Sequence, residues 1–350
     1  MSKQLPSDPL NSLITILKEF HNDPQSISIS SQSPDQILDT IDTTEIISDC
    51  VLLLNGDAWR YFDSEQDIFN HPALSGKTVF LQTLGYTNKK YNDFHYHISF
   101  PSWYWTRILR DEKFAPLSSN LEYGFSCLNN VTSIHRFILG HNFYINNLLD
   151  DMIFSQNLLG EHLDRLEEDL NDEYSELDLP KFHEYKNLLP IILKEEEHNG
   201  PIDFKYHKGR PGWLTHFTLS AHTNAYCFIC TESDIEEYPY NRNNNLPVVT
   251  EKSFKAFQTR QLPLILGARG HYAYFKSLGF EMMEDLLPSG YDDMPFLQKV
   301  DAIVSTVAKG HEFAKDFYFS HLPEIQHNYE LVNSDKVDNL ILQRIKDMLN

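Results

Sequence analysis

The chain predicts an α/β protein made of two doubly wound units in tandem, and three observations carry that expectation. Short apolar runs recur along it: LLLN closes residues 46–55, TVFLQT spans 78–83 and LPLIL spans 262–266. Each opens into a glycine or a polar loop, as strands buried on both faces of a parallel sheet do. Helical or loop stretches separate the runs, the alternation expected of α/β layers. A length of 350 residues exceeds one ordinary core and suits two units of roughly 150 residues each.

The elements follow in order. Residues 1–45 are rich in Ser, Asp, Gln and Pro after one short amphipathic helix at 10–20, and read as an N-terminal arm. A first unit, 46–117, takes strands at 46–55, 78–83 and 95–100 (HYHISF). DEKFAPLSSN, at 111–120, is polar and broken by proline, and reads as a linker. A second unit, 118–310, starts with the strand FSCLN at 125–129. It continues with helices at 135–149 and 158–177, strands at 213–221 and 225–230, a helix at 251–260 and the strand 262–266. Two helices, near 296–309 and 336–348, end the chain, and segment 311–350 is expected to pack back toward the first unit.

Charge narrows the function classes. The formal net charge of -21 argues against a general nucleic-acid binder, whose affinity comes from neutralising phosphates. Residues 150–200 hold 15 Asp and Glu against 4 Lys and Arg, so about half the excess sits in one segment, the pattern of a solvated helix face. A locally basic cleft remains open around Lys77, Lys89, Lys90, Arg107, Arg110 and Lys113. No window reaches the ~18 apolar residues of a membrane helix and no signal peptide is legible, so a soluble, cytoplasmic protein is expected. Cys50, Cys127, Cys227 and Cys230 are too few for a disulfide framework. One C-x-x-C without a second pair falls short of a structural zinc site, and buried thiols are expected.

Chemistry concentrates in the second unit. Thr250-Glu251-Lys252 stands where a loop meets a helix, so unpaired backbone N–H groups there can face an anion. Lys252 and Lys255 add positive charge, although the same residues also read as an ordinary capped helix start. Arg136 follows FSCLN at the start of the next helix, where a doubly wound domain meets phosphate and an arginine can bind two oxygens. A surface helix arginine is the plainer reading.

Residues 226–267, with Glu232 after the apolar strand, then VTEK at 249–252 and LPLILG, resemble the donor-binding domain of the family 10 glycosyltransferases, the α1,3-fucosyltransferase group. Residues 125–149 look like that domain's first strand and helix, with Arg136 matching the arginine that contacts the donor diphosphate. FSCLN-, HR- and TEK-type segments are similar to those of phage and large-virus glycosyltransferase-like proteins, which implies a viral or bacterial source and, if viral, the host cytoplasm. The resemblance covers about 118–310 at the level of motifs. It implies a GT-B fold, two Rossmann-like domains facing a cleft, with the acceptor side at 46–117 and the nucleotide-sugar side at 118–310. Arg136 and Lys252 would neutralise the departing diphosphate, and Glu232 and Glu251 would contact ribose or sugar hydroxyls. The co-substrate implied is a GDP-sugar, with UDP- and CDP-sugars left open.

Two cations can stabilise a leaving phosphate as a metal would, so a mechanism without an obligatory metal is expected, and the resemblance implies inverting transfer. No D-x-D motif is present; Asp39 and Asp42 in DTID have two residues between them. Two departures stand out. The segment 233–249 is longer than the family pattern and rich in Asn, and reads as a lid over the donor. HYHISF resembles the strand leading to the family's catalytic glutamate, yet Pro101-Ser102-Trp103 follows without a carboxylate. On chemistry alone the candidate bases are Asp57, Glu65, His95 and His97, the two histidines also reading as core or as a partial metal pair. Trp103, Tyr104 and Trp105 can form an acceptor platform or a core. Three functions follow: monosaccharide transfer to a glycan or other hydroxyl, glycosylation of a hydroxylated pyrimidine in viral DNA, and a non-catalytic sugar-nucleotide-binding interaction protein.

Overall fold

The computed structural model describes residues 9–21, 23–29, 34–55, 66–83, 89–90, 92, 94–99, 114–129, 133–156, 180–191, 206–207, 210–211, 224–232, 249 and 251–350. The chain is an α/β protein with two Rossmann-like, mainly parallel sheets. The first contains β1 (Gln25–Ile29), β2 (Cys50–Asn55), β3 (Thr78–Thr83), β4 (Lys89–Lys90) and β5 (His95–Ser99), in the order β1-β2-β3-β5-β4. All its pairings are parallel except that of β4 with β5. Successive side chains of a strand point to opposite faces, and β2 shows the result. Val51 and Leu53 join Ile27, Ile41, Ile68 and Val79 in one core, while Cys50 and Leu52 join Phe80, Tyr96 and Leu17 in another. Leu17 belongs to α1 (Pro9–Phe20), and Ile41 and Ile68 to α2 (Pro34–Thr43) and α3 (Gln66–Phe69).

The described segments within the first 45 residues therefore join the first sheet and its core rather than forming the arm that their composition suggests. The polar serines of QSISI hide a strand whose Ile27 is buried and whose backbone pairs with Val51–Asn55 of β2. Sheet pairing outweighs local polarity here, because strand preference is set by the surface a segment packs on.

The second sheet contains β6 (Tyr123–Asn129), β7 (Ile153–Gln156), β10 (Ala225–Thr231) and β11 (Leu262–Leu266), all parallel, in the order β11-β10-β6-β7. A separate short pair, β8 (Tyr206–His207) and β9 (Arg210–Pro211), is antiparallel. The chain runs from β6 outward through α4 (Ile134–Ile145) to β7, returns to β10 beside β6, and runs outward the other way through α6 (Glu251–Gln258) to β11. Right-handed crossovers in opposite directions place their helices on opposite faces. The direction reverses between β6 and β10, which makes their carboxyl ends the switch point of the sheet.

After α5 (Phe182–Leu188) and α7 (His271–Ser277), four helices end the chain rather than the two expected: α8 (Phe296–Val307), α9 (Gly310–Ser320), α10 (Leu322–Val332) and α11 (Lys336–Leu349). α8 packs on α4 and β11, whereas α9 packs on β6 and β10 and α10 on α6. The approach of α9 depends on Gly124, where a Cβ would stand 3.0 Å from the His311 Cα. α11 reaches α1, with Lys346 Nζ 2.9 Å from Glu19 Oε2. Segment 114–120 lies against the second sheet's helices: Phe114 and Leu117 are buried, and Arg260 Nε donates to Phe114 O at 3.0 Å. The expected helix at 158–177 and strand at 213–221 fall outside the described residues. No helix among the described residues is long and apolar enough to cross a membrane.

Candidate functional site

β10 is buried along its whole length, and the chemistry changes abruptly where it ends. AYCFIC gives way to Thr231-Glu232, the last residue of the strand and the next one. Asn129 ends β6 alongside, and the Thr231 hydroxyl donates to its Oδ1 at 2.5 Å. Arg136 lies in the first turn of α4, after Ile134 and His135, and is only 7% exposed. Its Nε donates to Thr231 Oγ1 at 3.1 Å and its Nη2 to Thr231 O at 3.3 Å. The arginine predicted for a phosphate-facing position is thus at the switch point, anchored to the end of the central strand rather than exposed on a helix surface.

Glu232 is fully buried. Its backbone N–H donates to Leu266 O at 2.9 Å, continuing the pairing of β10 with β11. Its backbone carbonyl accepts from His135 Nε2 at 2.8 Å, and its Oε1 accepts from Ser253 Oγ. His135 is on α4 and Ser253 on α6, so one residue ties both helix starts to one strand end. Lys252 and Lys255 stand half-buried on α6, one and four residues after the Glu251 that opens it.

Two groups at this edge were not foreseen. Lys299 of α8 is buried, and its Nζ donates to Gly267 O at 3.0 Å, just past the end of β11. Its ammonium is 5.6 Å from the centroid of the Tyr291 ring. His271 packs its ring over Gly267, where a Cβ would come within 2.6 Å of it, and its Nδ1 meets Ala268 O at 2.9 Å. The signal for Lys299 was available: a lysine among Phe296, Val300 and Ile303, spaced as the apolar face of a helix.

The four cysteines are all free thiols and all buried, as expected. Burial pushes the Cys127 thiol up to about 12, against the smaller downward pull of a hydrogen bond from Asn129 and of the Arg136 charge. Among the described residues no three His, Cys, Asp or Glu side chains are grouped as metal ligands.

The candidate bases are less well placed. His95 is the first residue of β5, at the amino end of its strand, stacked on the Phe69 ring at 4.7 Å and hydrogen-bonded to Asn92 at 3.0 Å. Burial lowers its pKa. Ligands of parallel sheets meet the opposite, carboxyl edge. His97 lies mid-strand, opposite Leu81 on one side and Lys89 on the other. Asp57, Glu65, Thr250, Trp103, Tyr104, Trp105 and the proposed lid at 233–248 lie outside the described residues.

No protein-family model, curated protein or solved structure matches the chain. The geometry at the second sheet therefore carries the functional argument. Two helix starts, the buried Arg136 and half-buried Lys252 on those helices, and a third cation, the buried Lys299, stand at the carboxyl edge where a switch point opens. Such an arrangement favours an anion with several oxygens, as a diphosphate has.

Proposed function

We propose that the chain is a glycosyltransferase of GT-B architecture that holds a nucleotide-sugar at the carboxyl edge of its second sheet and transfers the sugar to an acceptor hydroxyl on the side of the first. The observation that supports it most is the place of Arg136: a buried guanidinium in the first turn of α4, at the reversal between β6 and β10. Arg136 and Lys252 stabilise the diphosphate as it leaves, and Lys255 extends the anion site; the roles expected of Thr250 and Glu251 rest on side chains outside the described residues. The acceptor oxygen attacks the anomeric carbon, the bond from that carbon to the phosphate oxygen breaks, and the nucleoside diphosphate departs. The acceptor proton passes to a base from the first unit, for which Asp57, just past the carboxyl end of β2, is better placed in the chain than His95. The co-substrate is a GDP-, UDP- or CDP-sugar.

A ligand bound only by the native state at about 100 times its Kd adds about 2.7 kcal/mol of stability. For units of this size that raises Tm by about 5–10 °C. Thermal shift with GDP, UDP and CDP is the test: one of the three is expected to give such a rise, and Lys252→Ala to reduce it. No shift with any of them removes the nucleotide-sugar reading. A second reading, a non-catalytic sugar-nucleotide-binding module, draws on the full burial of Glu232 and the anchoring of Arg136 to Thr231. Slow release of free nucleotide from one of a panel of donors, lost in Lys252→Ala, excludes it.

A further inference from the structure

We infer that Glu232 is a positioning residue, one that sets the separation of the two helix starts and hence of Arg136 and Lys252. The inference rests on the nucleotide-sugar reading and revises the part first expected of Glu232, a direct contact with ribose or sugar. A carboxylate with no exposed surface, its Oε1 taken by Ser253, acts through the helix it holds.

Among its contacts the residue reaches three elements: Leu266 of β11 through its N–H, His135 of α4 through its carbonyl, and Ser253 of α6 through its carboxylate. The first two are made by its backbone and survive a change of side chain. The third depends on the side chain, whose Oε1 also lies 3.9 Å from Cys230 Sγ, and it ends one residue from Lys252. His135 likewise stands one residue from Arg136, which reaches the neighbouring Thr231 by two further bonds. Both cations are thereby referred to the same two residues at the end of β10. A diphosphate bridging them needs that spacing held, since a misplacement of about 1 Å can cost on the order of a hundredfold in a positioned reaction.

α6 does not need the Ser253 bond in order to fold. Phe254 packs against Phe275 at 5.2 Å and Phe257 stacks on Phe280 at 4.4 Å, and both phenylalanines are buried. Loss of the bond frees the start of a helix that stays in place. The expected effect is on affinity more than on folding.

The experiment is calorimetric titration of the full-length chain with GDP, UDP and CDP, with Tm recorded for every protein. Glu232→Ala and Ser253→Ala are each expected to weaken the diphosphate that the wild-type chain binds by about tenfold, the scale of one buried hydrogen bond. Glu232→Gln retains an acceptor for Ser253 and is expected to stay within about twofold. The double variant Glu232→Ala with Ser253→Ala is expected to be no weaker than either single one, because the two groups form one link. If Tm falls while the affinity of the folded variants stays at the wild-type value, the role is structural and the inference is overturned. A loss in Glu232→Gln as large as in Glu232→Ala overturns it in favour of a direct charge contact with the donor. Where Glu232→Ala fails to fold, Ser253→Ala and Glu232→Gln decide between the same outcomes. A wild-type chain that binds none of the three diphosphates removes the nucleotide-sugar reading and this inference together, whereas wild-type binding with unaltered variants removes this inference alone.

Discussion

Replacing Gly140 with alanine should destabilise the fold although it adds the best helix former to the middle of a helix. Gly140 lies in α4 and faces the buried pair Tyr185 and Gln156, whose side chains are joined by a hydrogen bond of 2.8 Å from Tyr185 Oη to Gln156 Oε1. A Cβ placed on Gly140 would overlap both of those atoms and stand 3.0 Å from Phe154 Cζ. Helix propensity favours the alanine by about 1 kcal/mol. Against it stand overpacking, typically about 1–3 kcal/mol, and displacement of a buried hydrogen bond whose loss leaves two polar groups unpaired, about 1–3 kcal/mol. The balance is a loss of about 3 kcal/mol. With a urea dependence of about 3 kcal/mol per molar, the unfolding midpoint drops by about 1 M. Urea unfolding followed by circular dichroism measures it, and Tyr185→Phe in the same chain, which removes the struck hydroxyl, should recover part of the loss. An unchanged or raised midpoint for Gly140→Ala refutes the close seating of α4 on β7, and with it the placement of Arg136 that depends on α4.

The remaining predictions concern titration. Cys127 stays protonated in the native state to about 12, whereas the unfolded thiol ionises near 9. Above pH 9 the unfolded chain therefore holds fewer protons than the native one, so this contribution is present below pH 9 and is lost as pH rises toward 12, by up to about 1.4 kcal/mol per pH unit. Urea midpoints at pH 8, 9 and 10 should fall in wild type and less in Cys127→Ala; equal falls refute the assignment. At pH 8 none of the four thiols should react with an aromatic disulfide reagent until urea is added, since all are buried. His141 shows the opposite sign. It is buried, its Nε2 is bonded to Pro180 O, and its Nδ1 has no partner among the described residues. Burial lowers its pKa, so below pH 6.5 the unfolded chain takes up a proton that the native chain resists, and stability falls on acidification. His141→Leu should flatten that acid limb whatever it does to stability at pH 8, and an unchanged limb in the variant counts against the assignment.

Two strands near a glycine were legible to the residue, whereas the run read at 46–55 is a strand only over Cys50–Asn55. Thr78–Thr83 and Leu262–Leu266 were both predicted with the bounds they have, because Gly76 and Gly267 punctuate runs that are buried on both faces. β1 was not, since its two isoleucines alternate with serine and its burial comes from β2, far along the chain. α9 and α10 were missed because aromatic, histidine and charged residues interrupt their apolar stripes, leaving weak helical periodicity. At the site, Arg136 was readable from the strand that precedes it, but its partner Thr231 was not. Side-by-side placement of β6 and β10 joins residues about a hundred positions apart, and no local pattern encodes it. The burial of Glu232 was equally hidden, for it depends on Ser253 arriving from the next helix.

The distribution of buried charge bears on whether this edge is more than a well-packed corner. Among the described residues four Arg, Lys, Asp or Glu side chains are buried: Arg136, Glu232, Lys299 and Asp338. Asp338 lies on α11; the other three stand at the carboxyl edge of the second sheet, on α4, at the end of β10 and beside the end of β11. The amino edge of the same sheet is polar too, but with a neutral group. There Gln261 Nε2 donates to Ala225 O at 2.9 Å and approaches Ser126 Oγ at 3.4 Å. Both edges need donors for strand-end carbonyls, and an amide supplies one without bringing an ion out of water. Burying an ion costs several kcal/mol even with partners, and apolar residues of similar volume often serve stability as well or better. Satisfying the backbone therefore accounts for the amino edge and leaves the ions of the carboxyl edge in excess. In an open parallel sheet that is the edge where ligands bind, and an excess of fixed positive charge at a switch point is what a diphosphate requires. If Arg136→Met and Lys299→Met together raise stability while abolishing nucleotide binding, the excess is functional; if they leave nucleotide binding intact, the charges serve packing alone.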